Sequence, residues 1–588
     1  MFRQSVRSAF ALLALSACAT DRAPAEGDEA GTSAPAAGST LAPSIADGGT
    51  VSAGGSNVSL PGSASGTPAG QPEASLPPIA IDQCGTQNPA KLNADQVAAL
   101  RAGGGMPPRL LYPYDGTVFP RGLGAPMLML ENDGASTAYV HMKSSLFEYA
   151  GCLPVQGGTV QLPEDVWAEA GLHSRGGGES MTLSLTTLNG SSVRGPVKIS
   201  ITASSATLKG SIYYNSYNSL VATSGLALSG AVMRVRAGKP VELFAQSGQC
   251  SGCHSLSANG QRLISTNLTG LDLGGLTSGL TGSANIYNIA PGTAQNPAPA
   301  RTGSNASFAG ISPDGRFYLT SAAMPGFGPL LNGGIVSPVA EATLFESDTG
   351  KTVSSAIPRG AMMPSFSADG KLITFADLAQ NGGRNVSIMD FDPATGAANN
   401  PRVIYSESEG NVGWPFLLPD NRTVVFTLTD SSSFGGGSAF IIPGLWRGPR
   451  SDLMMVDIAT GKARMLAKAM GYATPADAKA EKTYLPFGDE ELHQAYYPTV
   501  SPVAAGGYFW VFFDSVRHVG NSGNARQIWG TAIRIPSGEF NEYEEDPSLP
   551  AFYVQGQEFG TANHRGFTAL DPCRKDGDGC ESGVDCCA

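Results

Sequence analysis

The chain has 588 residues, a formal net charge of -12, 41% hydrophobic and only 15% charged residues. That balance speaks against nucleic-acid or anionic-lipid binding, both of which need a basic face. With 75 Gly and 41 Pro, the composition points to many turns joining short strands, and long amphipathic helices are scarce.

The first eighteen residues read as an export signal. Met1-Phe2-Arg3 and Arg7 form a positive n-region and Ala9 to Leu15 an apolar h-region, and Leu15-Ser16-Ala17-Cys18 resembles the lipobox of bacterial lipoproteins. Residues 1–18 are therefore expected to be a lipoprotein signal peptide, with Cys18 the acylated first residue of the mature chain. An ordinary signal peptide cut near Ala17 would export the chain without the anchor. No later apolar run is long enough to span a bilayer, so the lipid is expected to be the only membrane attachment. Residues 19–80, mostly Ala, Gly, Ser and Pro, cannot bury enough apolar surface to order themselves and read as a disordered tether.

Residues 81–206 read as a β-sandwich. Leu110 to Gly116 opens it, Ala125 to Leu130 and Ala138 to Met142 follow, and Met181 to Thr187 and Val197 to Thr202 close it. The texture suits an immunoglobulin-like or fibronectin-like domain. Cys84 and Cys152 are candidates for a disulfide across its edge. His141 and His173, which also fall here, read as surface or satisfied core residues.

Residues 207–570 repeat. A Ser-x-Asp/Asn-Gly turn followed by an apolar strand recurs at Ser257-Ala258-Asn259-Gly260, Ser312-Pro313-Asp314-Gly315 and Ser367-Ala368-Asp369-Gly370, with a degenerate copy at Pro419-Asp420-Asn421. Gly260, Gly315, Gly370 and Asn421 are spaced 55, 55 and 51 residues apart, as blades of a β-propeller are. A fifth copy starts at Tyr496. Half-blades remain at Ser211 to Ala245 and Ala551 to Leu570, and a ring that pairs its two ends leaves no edge exposed. Six blades are expected, within bounds of five and seven.

Cys250-Ser251-Gly252-Cys253-His254 is the c-type haem attachment pattern. Two thiols three apart reach the two vinyl groups of one porphyrin, and the adjacent imidazole becomes the proximal iron ligand. Residue frequencies alone would yield about 0.0014 such pentads in a chain of this composition. The alternative is a structural or redox C-x-x-C, which favours a βαβ setting that is missing here. One covalent haem c is the expected cofactor, on Cys250, Cys253 and His254.

The chain resembles the TolB-like propellers, whose blades carry the same Ser-Pro-Asp-Gly turn, and more narrowly a group of exported bacterial lipoproteins that combine such a propeller with a haem motif. Tyr497-Pro498-Thr499-Val500-Ser501-Pro502, Gly506-Gly507-Tyr508-Phe509-Trp510-Val511 and the tail from Leu570-Asp571-Pro572-Cys573 add to the likeness. When the repeats are aligned on their turns, His254 falls in one column with Ala309, Pro364, Pro415 and Pro498, and the column before it reads Cys253, Phe308, Met363, Trp414, Tyr497. The resemblance implies that this column lies on the innermost strands beside the axial channel. Met363 is then a candidate distal iron ligand, its neighbour Met362 facing the other way. His493, His518 and an open site are the alternatives.

Residues 571–588 hold Cys573, Cys580, Cys586 and Cys587, expected to form two disulfides of undetermined pairing. The fold class is thus all-β, a sandwich followed by a TolB-like propeller. The expected function is that of a lipid-anchored extracytoplasmic monohaem cytochrome, in the periplasm or at the outer membrane, serving a redox partner the sequence does not identify. The alternative is a propeller lipoprotein that binds protein or glycan, with haem structural or absent. Enzymatic activity has no specific support: no G-x-S-x-G elbow, no H-E-x-x-H and no clustered histidines occur.

Overall fold

The computed structural model describes residues 76–572 except 175–178, 218, 220–229, 247–249, 271–280, 292, 294–295, 304–307, 321–341, 354, 378, 431–449, 524 and 537–542. The expected signal peptide with Cys18, nearly all of the tether, and the tail from Cys573 lie outside the described residues.

The N-terminal part runs β1 (Ile79–Gln83), α1 (Ala94–Ala102), β2 (Leu110–Tyr112), β3 (Thr117–Arg121), β4 (Met127–Leu130), β5 (Thr137–Lys143), β6 (Phe147–Pro154), β7 (Thr159–Gln161), α2 (Glu164–Leu172), β8 (Met181–Asn189) and β9 (Ser192–Thr207). These strands make a sheet ordered β1-β6-β5-β8-β9-β3 and a second ordered β2-β4-β7. Side chains alternate across the pleat. In β5, Ala138, Val140 and Met142 are buried while Tyr139 and His141 between them are less so or partly exposed. Two pairings depart from an all-antiparallel sandwich, since β1 joins β6 and β3 joins β9 in parallel. Cys84, just after β1, is disulfide-bonded to Cys152 on β6. His141 bonds Glu148 and His173 bonds the Glu169 carbonyl, each at 2.9 Å.

The repeats then form mostly antiparallel sheets of three or four strands, except that the first is continuous, through one parallel pairing, with the strands that close the ring, in a single eight-stranded sheet. The first comprises β13 (Cys250–Leu256), β14 (Arg262–Gly270), β15 (Thr281–Asn288) and β16 (Arg301–Gly303), the next β17 (Gly310–Ile311), β18 (Phe317–Leu319) and β19 (Leu344–Glu346). β20 (Ala361–Phe366) to β23 follow, with β21 (Leu372–Asp377), β22 (Asn385–Asp392) and β23 (Ala397–Ser406). β24 (Gly410–Leu417), β25 (Thr423–Asp430), β26 (Ser451–Asp457) and β27 (Ala463–Met465) form another sheet, followed by α3 (Ala467–Met470) and α4 (Pro475–Lys479). β28 (Tyr496–Val500), β29 (Tyr508–Ser515), β30 (Gln527–Arg534) and β31 (Phe552–Tyr553) form the last of this series. The two ends of the repeat region meet, because β32 (Ala562–Ala569) pairs antiparallel with β10 (Ser211–Tyr217), which continues to β11 (Gly230–Val235) and β12 (Glu242–Ala245). The repeat region is a β-propeller closed by strands from both ends.

The recurring turn has a common cause. Gly260, Gly315 and Gly370 have φ of 68°, 77° and 70°, a region glycine enters without steric cost. Each donates its N–H to the Ser carbonyl three residues earlier, at 3.0, 2.8 and 2.9 Å. The Ser hydroxyl caps the turn by donating to the Asn or Asp side chain, at 2.7, 2.6 and 2.6 Å. The N-terminal sheets and the propeller share one apolar core. Tyr112 accepts the Tyr553 N–H at 3.0 Å, and Tyr114 stacks on Trp529.

Candidate functional site: the propeller axis

The column Phe308, Met363, Trp414, Tyr497 shares one backbone feature. All four residues have positive φ, at 55°, 51°, 53° and 53°. In a bulky L-residue this conformation costs about 1–3 kcal/mol and persists where the surroundings enforce it. The register slips by one residue at the same place in β13, β20, β24 and β28, between Gly252 and Ser255, Met362 and Ser365, Gly413 and Phe416, and Tyr496 and Thr499. These are β-bulges, whose extra residue has no ladder partner. Proline is tolerated there because it has no N–H to leave unpaired, which accounts for Pro364, Pro415 and Pro498 after the column residue.

A further member of the column went unseen in the sequence. On β32, opposite a register slip between Tyr213 and Asn215 on β10, Arg565 has φ 50°. Its guanidinium lies 4.4 Å over Trp414, 4.7 Å over Phe567 and 5.8 Å from Phe308. Trp414 meets Phe308 at 4.8 Å and Tyr497 at 4.6 Å between ring centroids, both edge to face. The aromatic column therefore packs on itself and on a cation. The last half-blade lacks the Ser-x-Asp-Gly turn, so no spacing registered Arg565 on the others.

Cys250 and Cys253 lie on β13, and their side chains are outside the described residues. His254 is fully buried, its ring edge to face with Phe567 at 5.2 Å. Nδ1 lies 2.6 Å from Asn215 Oδ1, which also accepts the His254 backbone N–H at 3.2 Å. Asn215 Nδ2 donates to the Ser251 carbonyl at 3.0 Å, which fixes the amide with its oxygen towards the histidine. Burial, helped by the charge of Arg565, pushes the His254 pKa down to about 3, so the imidazole is neutral and carries one N–H. Both ring nitrogens face acceptors, Nδ1 the Asn215 Oδ1 and Nε2, at 3.2 Å, the Tyr213 carbonyl, and the one proton is shared between those two positions.

That donor chemistry fits the proximal side of a haem. A metal-ligating histidine is neutral and donates its other N–H to a fixed oxygen, the place Asn215 Oδ1 holds beside Nδ1. Here the Tyr213 carbonyl occupies the space beside Nε2. Met363 is buried in the expected column, and its Sδ accepts the Trp414 N–H at 3.0 Å. Met362 is equally buried. His493 is held by Asp452 at 2.9 Å, and His518 lies 3.6 Å from Glu491. Among the described residues no group of three or more His, Cys, Asp or Glu converges on one point, and no helix is long and apolar enough to cross a membrane.

No family model and no curated protein matches this chain. Among solved structures it is similar to TolB from Acinetobacter baumannii, with 14% identity, 66% of this chain and 86% of that one covered, and a TM-score of 0.30. A putative TolB from Agrobacterium tumefaciens is 14% identical over 47% of this chain and 83% of its own, with a TM-score of 0.29. The periplasmic gluconolactonase of Pseudomonas aeruginosa is 13% identical, covers 66% of this chain and 95% of its own, and has a TM-score of 0.32.

Proposed function

We propose that this chain is an exported, lipid-anchored propeller protein that carries one covalent haem through Cys250 and Cys253, with His254 as proximal ligand, and exchanges electrons with a partner outside the cytoplasmic membrane. The observation that carries the reading is His254: buried and neutral, with Nδ1 2.6 Å from Asn215 Oδ1, in a C-x-x-C-H pentad. Haem would supply one-electron chemistry. The chain's own residues orient the imidazole through Asn215, exclude water around it with Phe567, and place the charge of Arg565 where it disfavours an imidazolium.

Six blades, an immunoglobulin-like N-terminal sandwich, acylation of Cys18, a periplasmic or outer-membrane location and Met363 as distal ligand complete the proposal. A second reading, a binding propeller with haem structural or absent, is favoured by the packing of Arg565 onto Trp414 and Phe567.

Expression with a c-type maturation system separates the two. A haem-stained denaturing gel and a pyridine haemochrome spectrum should show haem that stays with the polypeptide, since thioether bonds survive denaturation, and Cys250→Ser with Cys253→Ser should abolish it. A colourless wild-type protein defeats the cytochrome reading. Cys18→Ser should move the protein out of the detergent phase; unchanged partitioning defeats the anchor.

A further inference from the structure

Next to the axis one buried guanidinium, Arg526, has no carboxylate within hydrogen-bond reach among the described residues. The Arg526 side chain is 1% exposed and lies over Tyr496 at 4.4 Å, with Tyr497 at 5.8 Å. Its Nε and Nη1 are buried and make no hydrogen bond. Asp514 Oδ2 stands 4.0 Å from Nη1, beyond hydrogen-bond reach. Asp514 Oδ1 accepts the Arg565 backbone N–H at 2.9 Å, while Oδ2, 3.1 Å from His564 Nδ1, is buried and makes no hydrogen bond.

The Arg565 guanidinium covers Trp414, whose ring meets Tyr497, which Arg526 approaches from its own strand end. Two permanently charged groups therefore share one aromatic wall, where Asp514 stands 4.0 Å from Arg526 and Asp452 and Asp430 reach Tyr496 electrostatically. Burial pushes Asp514 well above the usual carboxylate range, which weakens its compensation. A buried cation is normally paired, and an unmade bond to it is expensive. A bridging water would meet an N–H but not the charge. A planar carboxylate meets both, because its two oxygens match the guanidinium fork.

We propose that Arg526, with Arg565 beside it, forms a binding site for one carboxylate group at the propeller axis. The aromatic wall of Tyr496, Tyr497 and Trp414 favours a carboxylate borne on an apolar or planar body. Two sources share this chemistry, a free organic acid and a propionate of a haem carried by the same chain. The site does not depend on the haem being present.

The test titrates benzoate and acetate, with chloride as control, into full-length protein made haem-free by Cys250→Ser and Cys253→Ser, and into haem-loaded wild type. Tryptophan fluorescence and thermal shift are read together. Saturable carboxylate binding to the haem-free protein is expected, weakened by about tenfold or more in Arg526→Gln, since a charged bidentate pair is lost. Arg526→Lys, which keeps the charge but not the fork, should weaken it too and serves where Arg526→Gln fails to fold. Binding to both proteins assigns the site to a free acid; binding to the haem-free protein alone assigns it to a haem propionate. No binding by the haem-free protein, or binding that both Arg526 variants retain, overturns the proposal. If wild type never acquires haem, the cytochrome reading fails while this titration still decides the site.

Discussion

The sulfur of Met363 accepts the backbone N–H of Trp414 at 3.0 Å. The bond joins the bulges of β20 and β24, innermost strands of neighbouring sheets, and both residues sit in the left-handed region. It ties two strained turns to each other, and it places the thioether in the column where a distal ligand is proposed. Serving iron would cost Met363 this bond.

Substitution at Met363 should therefore have two separable effects. Met363→Leu keeps most of the volume and loses the sulfur, and should destabilise the fold by about 1 kcal/mol. Met363→Ala should cost about 2–5 kcal/mol, as truncation of a buried Met does. On folded haem-loaded protein, Met363→Ala should also turn a low-spin spectrum into one that binds carbon monoxide and should lower the potential, whereas Met362→Ala should leave both unchanged. A wild-type protein that already binds carbon monoxide readily removes Met363 from the iron.

His254 should make haem-free protein sensitive to acid in a defined window. Its folded pKa is pushed down to about 3 from an ordinary 6.5, so between those values the unfolded chain binds a proton that the folded chain refuses. Stability from this group is complete above pH 6.5 and declines as pH falls, by about 1.4 kcal/mol per pH unit. Asp514 acts in the opposite sense: its raised pKa lets the folded state hold a proton that the unfolded chain has released. The comparison must be with His254→Gln, which cannot titrate. Denaturation midpoints between pH 6 and 4 should fall more steeply in wild type than in the variant, and parallel curves would show that His254 is not the buried neutral group described.

The propeller and the column were legible in the sequence because each rests on a short local pattern. A turn needing positive φ at Gly260, Gly315 and Gly370 writes a glycine at a fixed period, and counting back from it finds the bulge residues. Arg565 escaped because its strand closes the ring without that turn. Arg526 and Asp514 escaped for a different reason: they come from the segment before β30 and from β29, and nothing in their spacing announces that both are buried together. The parallel pairing of β1 with β6 leaves no trace in alternation either, since either strand direction buries the same face.

Closure of the ring can be tested with two glycines in the same turn. Gly260 and Gly370 have φ of 68° and 70°, so alanine pays the same left-handed penalty of about 1–2 kcal/mol at each. Their surroundings differ. A Cβ on Gly370 would find its nearest neighbour, Pro313 Cδ, at 3.5 Å, an ordinary contact, whereas on Gly260 it would lie 1.7 Å from the Leu570 carbonyl oxygen. Leu570 follows β32 and donates its N–H to the Ala258 carbonyl at 2.9 Å, so the clash falls on the segment that anchors the closing strand. Gly370→Ala should lower stability by about 1 kcal/mol. Gly260→Ala should cost about 3 kcal/mol or more, since backbone must move and a bond across the closure is lost. Urea denaturation of the two variants decides it: equal losses would mean that the chain beyond β32 does not pack against the first Ser-x-Asn-Gly turn, and that the ring is held by the β10–β32 ladder alone.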